Sequence, residues 1–193
     1  MPSLIKSMLT LRWFLLLVLI PGLAFAGVFK HVKDNHWSDQ YDSHFRKYTK
    51  HYFGPHIDWH WFKAQGIAES GLKPNAKSPV GAKGIMQILP TTYAEIQEDN
   101  PHFTNINDPR WNIAAGIYYD RMLYRKWKKG LPTEERMAFA MASYNAGYGN
   151  VLKAYKRAKK QMGEIRNWVQ VESHAPGETR HYVRRIKALM GGG

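Results

Sequence analysis

A single glutamate in this sequence stands where general acid chemistry could be carried out. Helical spacing predicts a helix that is capped by Asp58 and continues to Glu69, after which Gly71 and Pro74 end it. The C-terminal end of a helix dipole disfavours a carboxylate, and partial burial there would raise the pKa of Glu69 further. A general acid needs such a raised pKa. Taken alone, a glutamate at a helix end is more often a solvated surface residue, so the surrounding pattern decides.

Four short motifs follow one another along the chain, and Glu69 opens the first of them. They are Glu-Ser-Gly at residues 69–71, Ser78 with Gly-Ala-Lys-Gly-Ile-Met-Gln at residues 81–87, Tyr-Asn-Ala-Gly at residues 144–147, and Glu-Thr-Arg-His-Tyr-Val at residues 178–183. The stretch Asn-Ile-Ala-Ala-Gly at residues 112–116 lies between the second motif and the third. One such motif would be a weak signal, whereas the ordered set is specific.

This succession resembles the catalytic domain of the soluble-type lytic transglycosylases, a family that is itself similar to goose-type lysozyme. The resemblance covers residues 39–189. It implies a mainly α, lysozyme-like single domain with two lobes flanking a glycan groove, and at most a short β element within residues 72–85. It also implies an enzyme that needs no cofactor and no metal.

The resemblance implies a role for each motif residue. Glu69 corresponds to the single catalytic acid. Seven residues correspond to positions that contact the glycan: Ser78, Met86, Gln87, Tyr144, Asn145, Glu178 and Tyr182. In the family the second motif holds the N-acetyl and hydroxyl groups of the sugars and, at Met86, lines the groove. The third motif lies beside the acid, and the last motif closes the far wall.

The implied reaction is cleavage of the β-1,4 bond between MurNAc and GlcNAc in peptidoglycan. Such cleavage needs a proton on the leaving oxygen and support for an oxocarbenium-like centre. In the family the substrate supplies the nucleophile: the muramyl N-acetyl group assists at C1, and the C6 hydroxyl then attacks to give a 1,6-anhydro sugar. Glu69 would act as acid in the first step and as base in the second.

Two other functions remain open. A muramidase on the same fold would use water instead of the C6 hydroxyl, and it would need a second carboxylate to activate that water. Glu178 is the only other motif carboxylate, and it is better interpreted as a positioning group. A non-catalytic glycan-binding module of an envelope-spanning apparatus would keep the groove but lose the acid. Small single-domain members of the family suggest a partner in a secretion, conjugation or other envelope assembly.

Composition limits the alternatives. The 193 residues suit one domain, and the net charge of +13 favours an anionic partner, such as nucleic acid, an anionic membrane surface or acidic cell-wall polymers. The sequence has no cysteine, which excludes disulfides, thiolate metal sites and cysteine nucleophiles. His56 and His60 have helical spacing, but no third ligand accompanies them in a zinc-binding pattern.

The N-terminus predicts export. Lys6 and Arg12 precede an apolar run over residues 13–20, and Ala24-Phe25-Ala26 follows it, as in a signal peptide cleaved after Ala26. An uncleaved anchor is the alternative. We therefore divide the chain into a signal peptide (1–26), a flexible basic lead-in (27–37), the catalytic domain (38–190) and a tail (191–193). A periplasmic or wall-associated enzyme argues against nucleic acid as the partner.

Helices must position the motifs. Apolar spacing predicts helices over residues 38–53 and 58–69. Five further helices are predicted from their opening signals: a capping box at Thr92 and Glu95, a cap at Asp108, and starts at Thr133, Asn150 and Glu178. The helix from Thr133 is rich in Ala and Met, which indicates a tightly packed central helix.

Overall fold

The computed structural model describes residues 30–127 and 130–191. Within these ranges the chain forms eight helices and no sheet, which confirms the mainly α prediction. The helices are α1 (Asp42–Phe53), α2 (His60–Ser70), α3 (Pro90–Asp99), α4 (Pro109–Lys126), α5 (Thr133–Ala146), α6 (Tyr148–Met162), α7 (Val169–Glu172) and α8 (Gly177–Leu189). The predicted signal peptide lies outside the described residues.

Helix α5 is the centre of the fold. Its residues from Met137 to Ser143 are all buried, and α5 packs against α4, α6 and α8. The small side chains of Ala138, Ala140 and Ala142 allow these neighbours to approach closely. The prediction of a tightly packed central helix is therefore confirmed.

The helix ends confirm the capping signal at Asp108 and contradict those at Asp58 and Thr92, since Trp59 takes the N-cap position of α2. Asp108 accepts a hydrogen bond from the backbone N–H of Arg110 at 2.8 Å, as predicted for the cap of α4. The capping box at Thr92 is wrong, because α3 begins two residues earlier at Pro90. Proline is well suited to the first helical position, where its missing N–H costs no hydrogen bond. The short helix α7 had no signal in the sequence.

The connection between α2 and α3 is a compact loop, residues 71–89, that carries the second motif. Isolated antiparallel bridges join Lys77 with Lys83 and Lys83 with Ile88, so the expected short β element exists only as single bridges. Asn112 of α4 holds the loop through its side-chain amide. Its Oδ1 accepts from the Met86 N–H at 2.8 Å, and its Nδ2 donates to the Lys83 carbonyl at 2.9 Å and the Ile106 carbonyl at 3.1 Å.

The lead-in is partly docked on the domain. Residues 30–37 form turns without a regular helix, as expected. Val32, however, is 1% exposed, and its N–H donates to the Leu189 carbonyl at 2.8 Å. The expectation of a flexible lead-in is therefore wrong at Val32, because an apolar side chain in this basic stretch reaches the core. No helix in the described part of the chain is long and apolar enough to cross a membrane.

Two glycines of the loop provide a test of how it is held. Gly84 has φ +75°, and a Cβ there would lie 2.5 Å from Asn112 Nδ2, whereas Gly81 has φ +87° with no atom near its Cβ position. We expect Gly81→Ala to cost about 1 kcal/mol of unfolding free energy, from the left-handed backbone alone. Gly84→Ala should cost at least about 2 kcal/mol, because the clash with Asn112 is added. Urea unfolding of both variants measures the difference, and equal costs would contradict the anchoring role of Asn112.

Candidate active site

Glu69 lies in the last turn of α2, as predicted. Gly71 ends the helix in the left-handed conformation, with φ +64°, and its N–H donates to the Ile67 carbonyl at 2.9 Å. Ser70 ties this helix end to the loop, because its hydroxyl donates to the Ile85 carbonyl at 2.9 Å. The end of α2 and the loop that carries the second motif are therefore held together beside Glu69.

The carboxyl group of Glu69 is enclosed by protein, although the residue keeps part of its surface open to the cleft. Tyr182 of α8 donates its hydroxyl proton to Glu69 Oε1 at 2.5 Å. Burial raises the pKa of Glu69 to about 7. The hydrogen bond from Tyr182 and the charge of Arg185 act in the opposite direction, and the charge of Glu178 raises the pKa further. A carboxyl group with this pKa can both give and take a proton near neutral pH.

Arg185 is a residue of this site that the motifs did not indicate. Its guanidinium donates to the carbonyls of Ala68 at 3.3 Å and Ile67 at 3.4 Å, the last residues of α2 before Glu69. Burial lowers the pKa of Arg185, and the charge of Glu69 raises it. The guanidinium thus places a positive charge at the negative end of the α2 dipole, where a cation is favourable. In the sequence, Arg185 is indicated only by its position three residues after Tyr182, which places both side chains on one face of α8.

The third motif contributes two polar side chains, Tyr144 and Asn145, that bind other elements of the site. Tyr144 donates its hydroxyl to the Met86 carbonyl at 2.7 Å, and so links α5 to the loop. Burial, followed by the charge of Glu69, raises the pKa of the Tyr144 hydroxyl well above its usual value. Asn145 Oδ1 accepts from the hydroxyl of Thr179 at 2.8 Å. This bond orients the Asn145 amide, and its Nδ2 has no hydrogen-bond partner among the described residues.

A cleft of about 760 Å³ opens at Glu69. Four of the predicted site residues line it: Glu69, Asn145, Glu178 and Tyr182. From there it extends along α8 to Val169, a residue that is 65% exposed, and to Glu172, which pairs with Arg184 at 2.8 Å. The first, third and last motifs therefore meet in one open cavity.

The second motif lies beside this cleft, but its side chains do not line it. Ser78 accepts a hydrogen bond from the Ala82 N–H at 3.0 Å. Gln87 adopts a positive φ of 46°, rare for a residue with a side chain, and its amide donates to the Gly84 carbonyl at 2.8 Å. Both side chains remain partly exposed. Ser78 and Gln87 thus stabilise the loop, and their contact with sugar stays a prediction.

Met86 does not line the groove, so that expectation is wrong for its side chain. Met86 is 0% exposed, and it packs so tightly on α4 that a Cβ at Gly116 would lie 2.8 Å from its side chain. The physical reason is that both backbone groups of Met86 are bound, by Asn112 and by Tyr144, which turns the side chain into the core. Met86 contributes to the site through its carbonyl.

The two histidines of the pair lie just before α2 and at its first residue. His60 Nδ1 lies 2.6 Å from Asp58 Oδ1, so Asp58 supports both this ring and the His60 N–H at the start of α2. Within residues 30–127 and 130–191, no group of three His, Cys, Asp or Glu side chains could hold a metal ion.

Comparison with known proteins identifies the family of this chain. The family model of the transglycosylase SLT domain matches residues 46–167. Membrane-bound lytic murein transglycosylase F of Yersinia pestis (strain Pestoides F) is 32% identical over 165 residues, which cover 83% of this chain and 33% of that protein. The same enzyme of Pectobacterium atrosepticum is 33% identical over 130 residues, 66% of this chain and 26% of that protein. The chain thus spans about a third or less of these relatives.

Solved structures show the same fold. The 70 kDa soluble lytic transglycosylase of Escherichia coli superposes with a TM-score of 0.64 at 27% identity, over 81% of this chain and 24% of that chain. The complex of a 70 kDa soluble lytic transglycosylase with bulgecin A gives a TM-score of 0.64 at 30% identity, over 79% of this chain and 24% of that chain. The predicted lysozyme-like fold is therefore confirmed.

The raised pKa of Glu69 predicts a stability change with a defined pH window. The unfolded chain loses the Glu69 proton near pH 4.5 and the folded chain near pH 7, so folding stability falls as the pH rises between these values. Glu69→Gln mimics the protonated form and escapes this loss. We expect the variant to match the parent at acidic pH and to exceed it above neutral pH by up to about 3 kcal/mol.

Urea unfolding at several pH values measures this difference. Glu172→Gln is the matched control, because it removes a carboxylate from the same cleft that already pairs with Arg184. The control should show no gain at alkaline pH. A Glu69→Gln variant that is less stable than the parent above neutral pH would contradict the burial of an unbalanced carboxyl group.

Proposed function

Because this chain belongs to the transglycosylase SLT domain family, we propose that it is a lytic transglycosylase. It cleaves the β-1,4 bond between MurNAc and GlcNAc in peptidoglycan and leaves a 1,6-anhydro-MurNAc end. The observation that carries this proposal is one enclosed carboxyl group, Glu69, with a pKa of about 7 in an open cleft. That group can act as acid and base in turn within one catalytic cycle.

In the first step, protonated Glu69 gives its proton to the glycosidic oxygen. Tyr182 occupies Oε1, which leaves Oε2 to carry the proton toward the substrate. As the bond between C1 of MurNAc and the oxygen breaks, the carbonyl oxygen of the muramyl N-acetyl group bonds to C1, and the GlcNAc side leaves as an alcohol. Substrate assistance suits a site in which Asp120, a carboxyl group close enough to Glu69 to feel its charge, is fully buried and not open to the cleft.

In the second step, the Glu69 carboxylate accepts the proton of the C6 hydroxyl. The C6 oxygen bonds to C1, the N-acetyl group is restored, and Glu69 regains its proton for the next cycle. The hydrogen bond from Tyr182 and the charge of Arg185 stabilise the carboxylate between the two steps, since both lower the pKa of Glu69. The two effects oppose burial and keep the pKa near neutral.

The other motif residues are proposed to hold the sugars. The amide N–H groups of Asn145 have no partner among the described residues, and Asn145 lines the same cleft as Glu69 and Glu178. Tyr144 acts from beside them, through its bond to the Met86 carbonyl. Ser78 and Gln87 would reach the N-acetyl and hydroxyl groups from the loop. Export of the enzyme to the periplasm or cell wall, and a partner in a secretion, conjugation or other envelope assembly, are further parts of this proposal.

Hydrolysis by a muramidase mechanism is the second candidate, and one observation favours it. Glu178 is exposed in the same cleft, and its charge raises the pKa of Glu69, so a second carboxylate is within electrostatic reach of the acid. If Glu178 activated a water molecule, the product would be a reducing sugar instead of an anhydro sugar. Mass spectrometry separates the two, because the anhydro product is lighter by one water.

We expect purified sacculi treated with the protein to release anhydro-muropeptides. Glu69→Gln should lower the rate by about 10²–10⁴-fold, the range for loss of a general acid. Glu178→Gln should slow the reaction while the product stays anhydro. Reducing-end products that disappear in Glu178→Gln would establish the muramidase instead, and full activity of Glu69→Gln would exclude both mechanisms.

Arg185 predicts a shift of the pH profile. Activity requires protonated Glu69 in the first step, so it falls as the pH rises through the Glu69 pKa of about 7. Arg185→Met removes the positive charge, which raises that pKa and moves the alkaline limb to higher pH. Arg185→Lys keeps the charge and should leave the limb near that of the parent. A limb that moves to lower pH in Arg185→Met, with folding verified by circular dichroism, would contradict the assignment.

A further inference from the structure

Asp120 of α4 is a buried carboxyl group without a counter-charge. It is 0% exposed, and in the part of the chain that the structure describes its carboxyl group has one hydrogen bond, from Gln65 Nε2 to Oδ1 at 3.3 Å. Among the described residues, no lysine, arginine or histidine forms an ion pair with it. An ionised carboxylate in such a place is strongly unfavourable, so the group retains its proton instead.

Both members of this contact have an unused oxygen. Asp120 Oδ2 and Gln65 Oε1 are buried and have no hydrogen-bond partner among the described residues. Two acceptors cannot bond to each other, but a proton on Asp120 Oδ2 turns that oxygen into a donor. One proton would therefore satisfy both groups, because Oδ2–H would donate to Oε1 while Nε2 donates to Oδ1. This is the two-hydrogen-bond pair of a carboxylic acid with an amide.

We infer that Asp120 is a neutral acid that forms this pair with Gln65 and thereby positions Glu69, an inference that rests on the proposed function. Gln65 lies one turn before Glu69, and residues four apart share a face of a helix. Asp120 lies on α4, the helix whose Asn112 anchors the Met86 backbone. The pair thus connects the helix that carries the acid to the helix that holds the loop beside it.

The neutral state of Asp120 also prevents a further rise in the pKa of Glu69. Asp120 is faced by Glu69 of α2, Tyr144 of α5 and Tyr182 of α8, with Tyr119 on its own helix. Burial raises the pKa of Asp120 well above its usual value. The hydrogen bond from Gln65 lowers that pKa, and the charge of Glu69 raises it. A negative charge on Asp120 would raise the pKa of Glu69 and make it a poorer proton donor.

Two substitutions separate the neutral acid from a charged one. Asp120→Asn puts a neutral amide in place of the acid, and that amide can form the same two hydrogen bonds with Gln65. This variant should therefore retain kcat within about threefold and keep the alkaline limb in place. Asp120→Leu has a similar size but no polar atoms, and should lower kcat about tenfold or more with little change in KM.

If Asp120 were charged in the parent, Asp120→Asn would lower the Glu69 pKa and move the alkaline limb to lower pH. That shift would overturn the inference.

An infrared measurement tests the proton without reference to activity. In the Glu69→Gln background at about pH 8.5, exposed carboxyl groups are ionised, so a carbonyl stretch of a protonated carboxylic acid would belong to a buried group. We expect such a band, and we expect its loss in Glu69→Gln/Asp120→Asn. Absence of the band in the Glu69→Gln variant overturns the inference, even if the parent enzyme releases anhydro products. A band without anhydro products would instead contradict the proposed function and leave the acid–amide pair established.

Discussion

The hydrogen bond from Tyr182 to Glu69 Oε1 is the contact on which the site depends. It joins the first motif to the last across 113 residues of sequence, and so brings the end of α2 against the face of α8. Arg185, one turn further along α8, binds the carbonyls that precede Glu69 and strengthens the same junction. One helix therefore supplies both the group that orients the acid and the charge that adjusts its pKa. The family match ends at residue 167, before α8 begins, although α8 carries the residues that hold Glu69 in place.

A second constraint keeps the loop of residues 71–89 beside the acid. Asn112 binds this loop from α4, Ser70 binds it from α2, and Tyr144 binds it from α5. With the second bond of Asn112, to the Lys83 carbonyl, four bonds reach the short stretch from Lys83 to Met86 and pair its backbone polar groups. The loop is thus positioned by side chains instead of a sheet, which explains why single bridges suffice there.

Together these contacts create a site that is costly to fold and suited to proton transfer. An enclosed carboxyl group with a pKa of about 7 destabilises the protein at neutral pH, because the unfolded chain ionises more easily. The same property lets Glu69 exchange a proton in both directions. The buried Asp120 avoids adding a second negative charge nearby by staying neutral with Gln65. Stability at neutral pH is therefore given up at both carboxyl groups, because each has a higher pKa in the folded protein than in the unfolded chain.

The sequence by itself determined the helices with clear signals, such as the Asp108 cap and the Ala-rich α5, and it identified Glu69 through the order of its motifs. These features depend on neighbours a few residues apart, which a sequence displays directly. It could not show that Met86 turns inward, that Arg185 caps α2, or that Asp120 meets Gln65. Each of these depends on side chains from distant parts of the chain that meet only after folding. The pKa of Glu69 was likewise decided by tertiary structure, because burial and the charges of α8 set it.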